Sequence, residues 1–425
     1  MSDPHENSRS LIPIGQTLPA LLPDRVGGSV LQRMARGALD IAQRNLPNIG
    51  PKRYRLGDQE LCEPDYRQVL LWAERLSMTP EDVIAKLAEA RVDIRFVKVS
   101  GDRWATFKLQ IVDGRIKAMV WDGEELPLEK FEWMTGLAVE TLAIKARIPT
   151  WHPDQRLPSL KRLQVERLGR ITLDLSPVPA LTWLNCRDNH LTELDLNPVA
   201  GLTELNCSGN QLAELDLNPV PGLTKLDCSL NELKELNLSP VAGLTELDCG
   251  GNKLSELNLR SMAGLSELDC GGNPLTELDL SPVPGLTKLS CIENHLTDLD
   301  LSPVAGLTEL FCCWNQLTKL DLSAVSCLTE LDCSGNQLAD IDLSPLPRLT
   351  GLICNDNQLT ELNLNPVPGL NVLICNDNQL TELNLSSVPA LNRLDCRSNQ
   401  LNTLDLKPVP ELSAFNADGH VNINR

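Results

Sequence analysis

LTWLNCRDNHLTELDLNPVAG (residues 181–201) is followed at once by LTELNCSGNQLAELDLNPVPG (202–222), and the same 21-residue unit then recurs nine more times, to Glu411. Cysteine marks the step, from Cys186 and Cys207 through to Cys396, and asparagine keeps it three positions on, from Asn189 to Asn399. A fixed period of this size means stacked coils of one supersecondary unit. Within the unit, Leu181, Leu184 and Cys186 alternate with Trp183, Asn185 and Arg187. That alternation predicts a short strand with its apolar side inward, so stacked units pair into a parallel sheet. Asn189 should turn the chain inward and bond backbone groups of its own and adjoining coils. Leu191, Leu194 and Leu196 repeat the pattern on the return side, and Pro198 and Val199 close the coil. Seven apolar slots, at roughly 1.5–3 kcal/mol each when fully buried, offset the ordering of the unit only when neighbours cover both sides.

The pattern L-x-x-L-x-C-x-x-N-x-L resembles the leucine-rich repeat, and the echo L-T-E-L-D-L-x-P-V-x-x is similar to the irregular bacterial type. The resemblance implies a solenoid used for binding and names no partner. The expected fold is mixed α/β. A flexible leader (1–28) precedes a small N-terminal α+β domain (29–150). A leucine-rich-repeat solenoid of about twelve coils follows over 160–411, with a parallel β-sheet along one face. It comprises a worn unit at 160–180, with Val165 in the Cys slot and Leu168 in the Asn slot, and the eleven regular units of 181–411. Residues 412–425 are expected to cap its far end through Leu412, Phe415 and Ala417.

Charge divides along the same line. Residues 1–180 carry 26 basic and 24 acidic side chains, leaving 12 basic and 33 acidic for the rest of a chain whose net charge is −19. An acidic solenoid repels phosphate backbones, which argues against nucleic acid on the repeats. Eleven of the fourteen cysteines belong to the inward ladder, where a reduced thiol is a small apolar filler. The first residues lack a basic start, and Pro13 and Pro19 interrupt their apolar stretch. The expectation is therefore a cytoplasmic protein, or one exported without a classical signal peptide, with no membrane segment.

In the N-terminal domain, helices are expected over 30–46, over 64–77, and from Thr79 to Ala90. Thr79 caps the last, with Pro80 in its first turn. Strands are expected over 92–100, 104–112 and 115–121, with Asp113-Gly114 as a hairpin turn, and partial helix over 126–147. Two helices followed by a hairpin invite a winged helix-turn-helix reading, in which the chain regulates through nucleic acid. Glu81 and Asp82 would then meet phosphates at the start of the recognition helix, which disfavours it.

Function is sought where the strand face departs from its consensus. The column after the second leucine runs Asn185, Asn206, Asp227, Asp248, Asp269, Ser290, Phe311, Asp332, Ile353, Ile374, Asp395. Phe311, Ile353 and Ile374 replace polar residues there, while Ile292 and Cys313 replace Ser or Gly nearby. Trp314 and Val372 lie beside them. Clustered outward apolar groups make binding hot spots. The candidate partner-binding residues are therefore Phe311, Trp314, Ile292, Ile353, Val372 and Ile374. Glu330 and Asp332 interrupt the patch and suggest a protein partner with a basic group between apolar anchors. The chain is expected to be non-enzymatic and to need no cofactor. Cys313, expected to face outward, has His295 one coil away but no orienting third group. The repeats also resemble those of bacterial effectors that append a ubiquitin-ligase domain, but only 14 residues follow the last unit, too few for such a domain. A calcium ladder along the return-side Asp/Asn column (195 to 405) lacks a glycine-rich calcium pattern.

Overall fold

A computed structural model describes residues 52–56, 58–90, 92–96, 103–107, 109–113, 115–122, 138–145, 157–166 and 172–425. The leader and the helix expected over 30–46 lie outside the described residues. The chain divides into Met1–Arg53 and Tyr54–Arg425. The second unit concerns us here.

It opens with a pair of strands, β1 (Arg53–Leu56) and β2 (Gln59–Cys62), and two helices, α1 (Glu63–Leu76) and α2 (Pro80–Glu89). Thr79 caps α2 as its sequence predicts: Oγ1 accepts from the Asp82 amide at 3.1 Å. Val83, Ile84 and Leu87 form the buried side of α2, whereas Glu81 and Asp82 stay exposed. Asp65 on α1 is fully buried and accepts from the Ile116 amide at 2.5 Å and Arg115 Nε at 3.0 Å. Those bonds tie α1 to the first long strand of the sheet. Strands β3 (Val92–Phe96) and β4 (Arg103–Phe107) pair antiparallel. β5 (Gln110–Val112) turns through Asp113 into β6 (Arg115–Asp122), also antiparallel. The strand expected over 104–112 is thus two strands.

From β6 onward every rung is parallel. β7 (Thr141–Lys145) and β8 (Arg162–Glu166) follow. Then come β9 (Trp183–Asn185) and, at each further 21-residue step, the three-residue strands from β10 (Glu204–Asn206) to β19 (Arg393–Asp395). β21 (Ala414–Asn416) adds a last rung, while β20 (Thr403–Asp405) and β22 (Asn422–Asn424) pair on the return side. Among the described residues this is one sheet of sixteen strands.

Two expectations are corrected here. Residues 141–145, read as part of a helix, form β7, with Leu142 and Ile144 fully buried along the solenoid axis. The parallel stack therefore does not begin at 160, because β6 and β7 are earlier rungs of the same sheet. Residues 126–137 and Leu168 lie outside the described residues.

Seven apolar slots per coil line the interior, all buried in most coils, with Leu194, Leu215, Leu320 and Ile341 half-buried in theirs. In one central coil Leu244, Leu247, Cys249, Leu254, Leu257, Leu259 and Met262 are all at most 9% exposed. The cysteines are free thiols, each between its neighbours in the stack. Beneath them runs the asparagine ladder. Asn252 Nδ2 donates to Cys249 O in its own coil and to Cys228 O in the previous one, both at 3.0 Å. Its Oδ1 accepts from Leu233 N at 3.0 Å. One amide thus satisfies buried backbone groups on two coils, which fixes the chain's inward turn. Asn189 makes the same bond back to Val165 O at 2.9 Å, so the worn unit accepts the ladder without a cysteine.

Candidate binding surface

Strand register sets the outward column directly: Ser290, Phe311, Asp332, Ile353, Ile374 and Asp395 stand side by side on successive strands. Phe311, Ile353 and Ile374 are half-buried, and Val372 lies half-buried two residues from Ile374 on the same face. Ile292 is half-buried in the turn after its strand. Trp314 is 55% exposed and holds a left-handed backbone, φ 54°. That turn aims its side chain toward the next coil, where the ring meets Gly335.

The two acids of the patch differ. Asp332 Oδ1 accepts from Ser334 N at 3.0 Å and Ser334 Oγ at 2.6 Å, so one of its oxygens holds the local turn. Glu330 is exposed, and its carboxylate reaches over Gly351 to accept from Thr350 Oγ1 at 3.0 Å. Gly351 leaves room for it, because a side chain there would collide with Glu330.

Cys313 lies on the outer side, beside Asp332 and Ser334 of the next coil, but it is closed to solvent. It is 6% exposed, and burial, followed by the adjacent Asp332 carboxylate, pushes its thiol up to about 12. Neighbouring side chains, not its orientation, close it off. A raised thiol is the opposite of an activated nucleophile. His295 is exposed in another slot and is not among the groups acting on this thiol.

Two features escaped the sequence reading. Leu230 is 65% exposed, the most open of the large apolar side chains among the described residues, in the same left-handed slot as Trp314. A leucine in a column otherwise filled largely by Gly, Asp and Ser was its signal. Asp227, Asp248 and Asp269 occupy three consecutive rungs in register. All are half-buried, and their pKa values are raised, mainly by desolvation. Asp248, with a carboxylate on either side, is pushed up to about 8.

At the other end the strand face is covered. Val120, Ala143 and Trp183, outward by alternation, are at most 5% exposed and pack with Ala90. The open face therefore begins near Asn206.

The return-side column has a structural use. At every position from Asp195 to Asp405, Asp or Asn, Oδ1 accepts from the amide two residues on, at 2.9–3.2 Å. Asn serves as well as Asp in that bond. Among the described residues no three His, Cys, Asp or Glu side chains gather as a metal site. No helix among them is long and apolar enough to cross a membrane.

No protein-family model matches the chain, and no curated protein matches it. Solved structures do. The functional domain of InlJ from Listeria monocytogenes, which includes a cysteine ladder, is 36% identical with a TM-score of 0.58, over 63% of this chain and 60% of that one. A leucine-rich repeat protein of Leptospira interrogans gives a TM-score of 0.65 at 22% identity, over 72% and 85%. YopM from Yersinia enterocolitica gives 0.53 at 28%, over 66% and 64%. This chain spans about 60% of the InlJ structure that it matches. The fold is a leucine-rich repeat solenoid, and its likeness to internalins and YopM points to a protein-interaction module.

Proposed function

We propose that the chain is a non-enzymatic binding module whose solenoid takes a protein partner on its open strand face, centred on Phe311 and Trp314. Ile292, Ile353, Val372 and Ile374 supply the surrounding apolar contact, and Glu330 offers a carboxylate to a basic group. The observation that carries this reading is Trp314, held more than half exposed beside a column of half-buried apolar residues. Maintaining the coil requires nothing apolar in those slots, since most coils fill them with polar residues or glycine. An exposed aromatic beside apolar side chains of adjoining coils supplies hot-spot contact. The free thiols support a reducing compartment for the folded protein.

Affinity capture with wild type, Phe311→Asp and Trp314→Ala in parallel tests the surface. Partners held by wild type should be lost from both variants, with melting temperatures little changed. Equal capture by all three proteins refutes the surface.

A further inference from the structure

The open face has two chemically distinct halves. From Ile292 to Ile374 it is the apolar patch. On the preceding coils it is acidic and, apart from Leu230 over Gly251, carries few large apolar side chains. Each aspartate of the Asp227–Asp248–Asp269 series spends Oδ1 on the amide two residues on, at 2.9–3.1 Å. Asp227 Oδ2 also accepts from Asn206 at 2.8 Å. The lysines of this face are already engaged: Lys225 with Glu246 at 2.8 Å, and Lys288 with Glu309 at 2.9 Å. Beside the carboxylates the chain carries Gly250-Gly251 and Gly271-Gly272, so two coils present backbone without side chains. A Cβ on Gly250 would stand 3.4 Å from Oδ1 of both Asp248 and Asp269, and one on Gly271 3.2 Å from Asp269 Oδ1. Side chains there would crowd these oxygens, and their absence leaves room for a bulky cation. Burial and the two like-charged neighbours push Asp248 up to about 8, a cost that a cation placed against the series relieves.

Resting on the binding reading above, we propose that the partner presents an extended peptide segment lying along the strand face, its lysine or arginine over Asp248 and Asp269 and its apolar anchor at Phe311 and Trp314. Rungs of a sheet are about 4.8 Å apart. Asp269 and Asp248 lie two and three rungs from Phe311, or roughly 10 and 14 Å. An extended chain advances about 3.3 Å per residue. Side chains of an extended segment share a face only at even spacing, so the basic residue sits about four positions from the anchor. Charge complementarity fixes the direction of the segment and the apolar end supplies its desolvated contact.

Random twelve-residue peptides displayed on phage and panned on the full wild-type chain test this whatever the identity of the partner. Selected sequences should carry Lys or Arg about four positions from Trp, Phe, Leu or Ile. Synthetic copies should bind the Asp227→Asn/Asp248→Asn/Asp269→Asn protein at least tenfold more weakly at low salt. That variant keeps Oδ1, and Asn already fills the slot at 185 and 206, so its melting temperature checks that the fold is retained. Selection of no peptide, or of peptides lacking a basic residue at that spacing, overturns the proposal. Undiminished binding to the triple variant overturns it too, while the apolar reading survives if Phe311→Asp still weakens binding. Peptides indifferent to Phe311→Asp overturn the reading on which it rests.

Discussion

The indole of Trp314 lies across Gly335 of the next coil, so closely that a Cβ on Gly335 would stand 2.8 Å from Cδ2 and Cε3. Leu230 lies over Gly251 in the same manner, 2.7 Å from Cδ2 to such a Cβ. Gly335 also has φ 62°, which L side chains resist at a cost of about 1–2 kcal/mol. Gly335→Ala should therefore lower stability by about that amount and alter tryptophan emission as the ring is displaced. Gly243→Ala, where a Cβ meets only Leu223 O at 3.7 Å, is the control. Equal urea midpoints for the two variants would show that the indole does not rest there.

The asparagine ladder gives a second prediction. Asn252→Ala removes the acceptor of the buried Leu233 amide and the donor to two carbonyls. Cys228 O still accepts from Asn231 and Cys249 O from Asn273, so only the Leu233 amide is orphaned and a loss of about 1–3 kcal/mol is expected. Asn399, half-buried near the far end of the ladder, should cost less. Denaturant unfolding of both variants measures the gradient; equal losses would mean that burial does not set the price.

A third concerns pH. In Asp227, Asp248 and Asp269 the folded-state pKa lies above the unfolded value of about 3.9. Between that value and about 8 the folded protein holds more protons here than the unfolded chain. Their contribution is then complete at the acid end and is lost as pH rises through the folded pKa. Asp248→Asn should melt progressively higher than wild type as pH is raised from about 5 to about 8. Paired melting curves across that range decide it, and a constant difference would remove the coupling between the three carboxyls.

The thiols supply a fourth. Ladder cysteines are fully buried with raised pKa values, Cys186 reaching about 12. Cys313 is also closed, whereas Cys327 is half-buried, in a slot that most coils give to glycine. Native alkylation read by peptide mass should mark Cys327 first and Cys313 slowly. Fast labelling of Cys313 would show that its thiol is open to solvent.

Much of this was legible because each marker has one physical job. Period, cysteine slot and asparagine slot repeat without a break from Leu181, so coil number and register follow from counting. Thr79 and Pro80 announce a helix start by local chemistry alone. The failures share a cause, which is that local pattern does not show what the fold brings beside it. Alternation puts Cys313 on the outer side but does not show that Asp332 and Ser334 of the next coil lie against it. β6 was legible as a strand but not as a rung, and β7 not at all, because neither carries the cysteine or asparagine marker and 23 residues separate Ala118 from its partner Thr141. The acidic half of the face was visible letter by letter. Its meaning depends on three strands standing in register, which a single line of sequence does not display.

The return-side turns use only one oxygen of each Asp or Asn from 195 to 405. Seven of those eleven residues are aspartate and four are asparagine. The carboxylate's second oxygen is thus surplus to the turn, and exchanging it for an amide leaves the accepting atom in place. Net charge and shape are consequently separable traits in this solenoid. Surface potential can drift or be engineered over seven units along one side while the coil geometry, and the opposite face that it supports, stays the same.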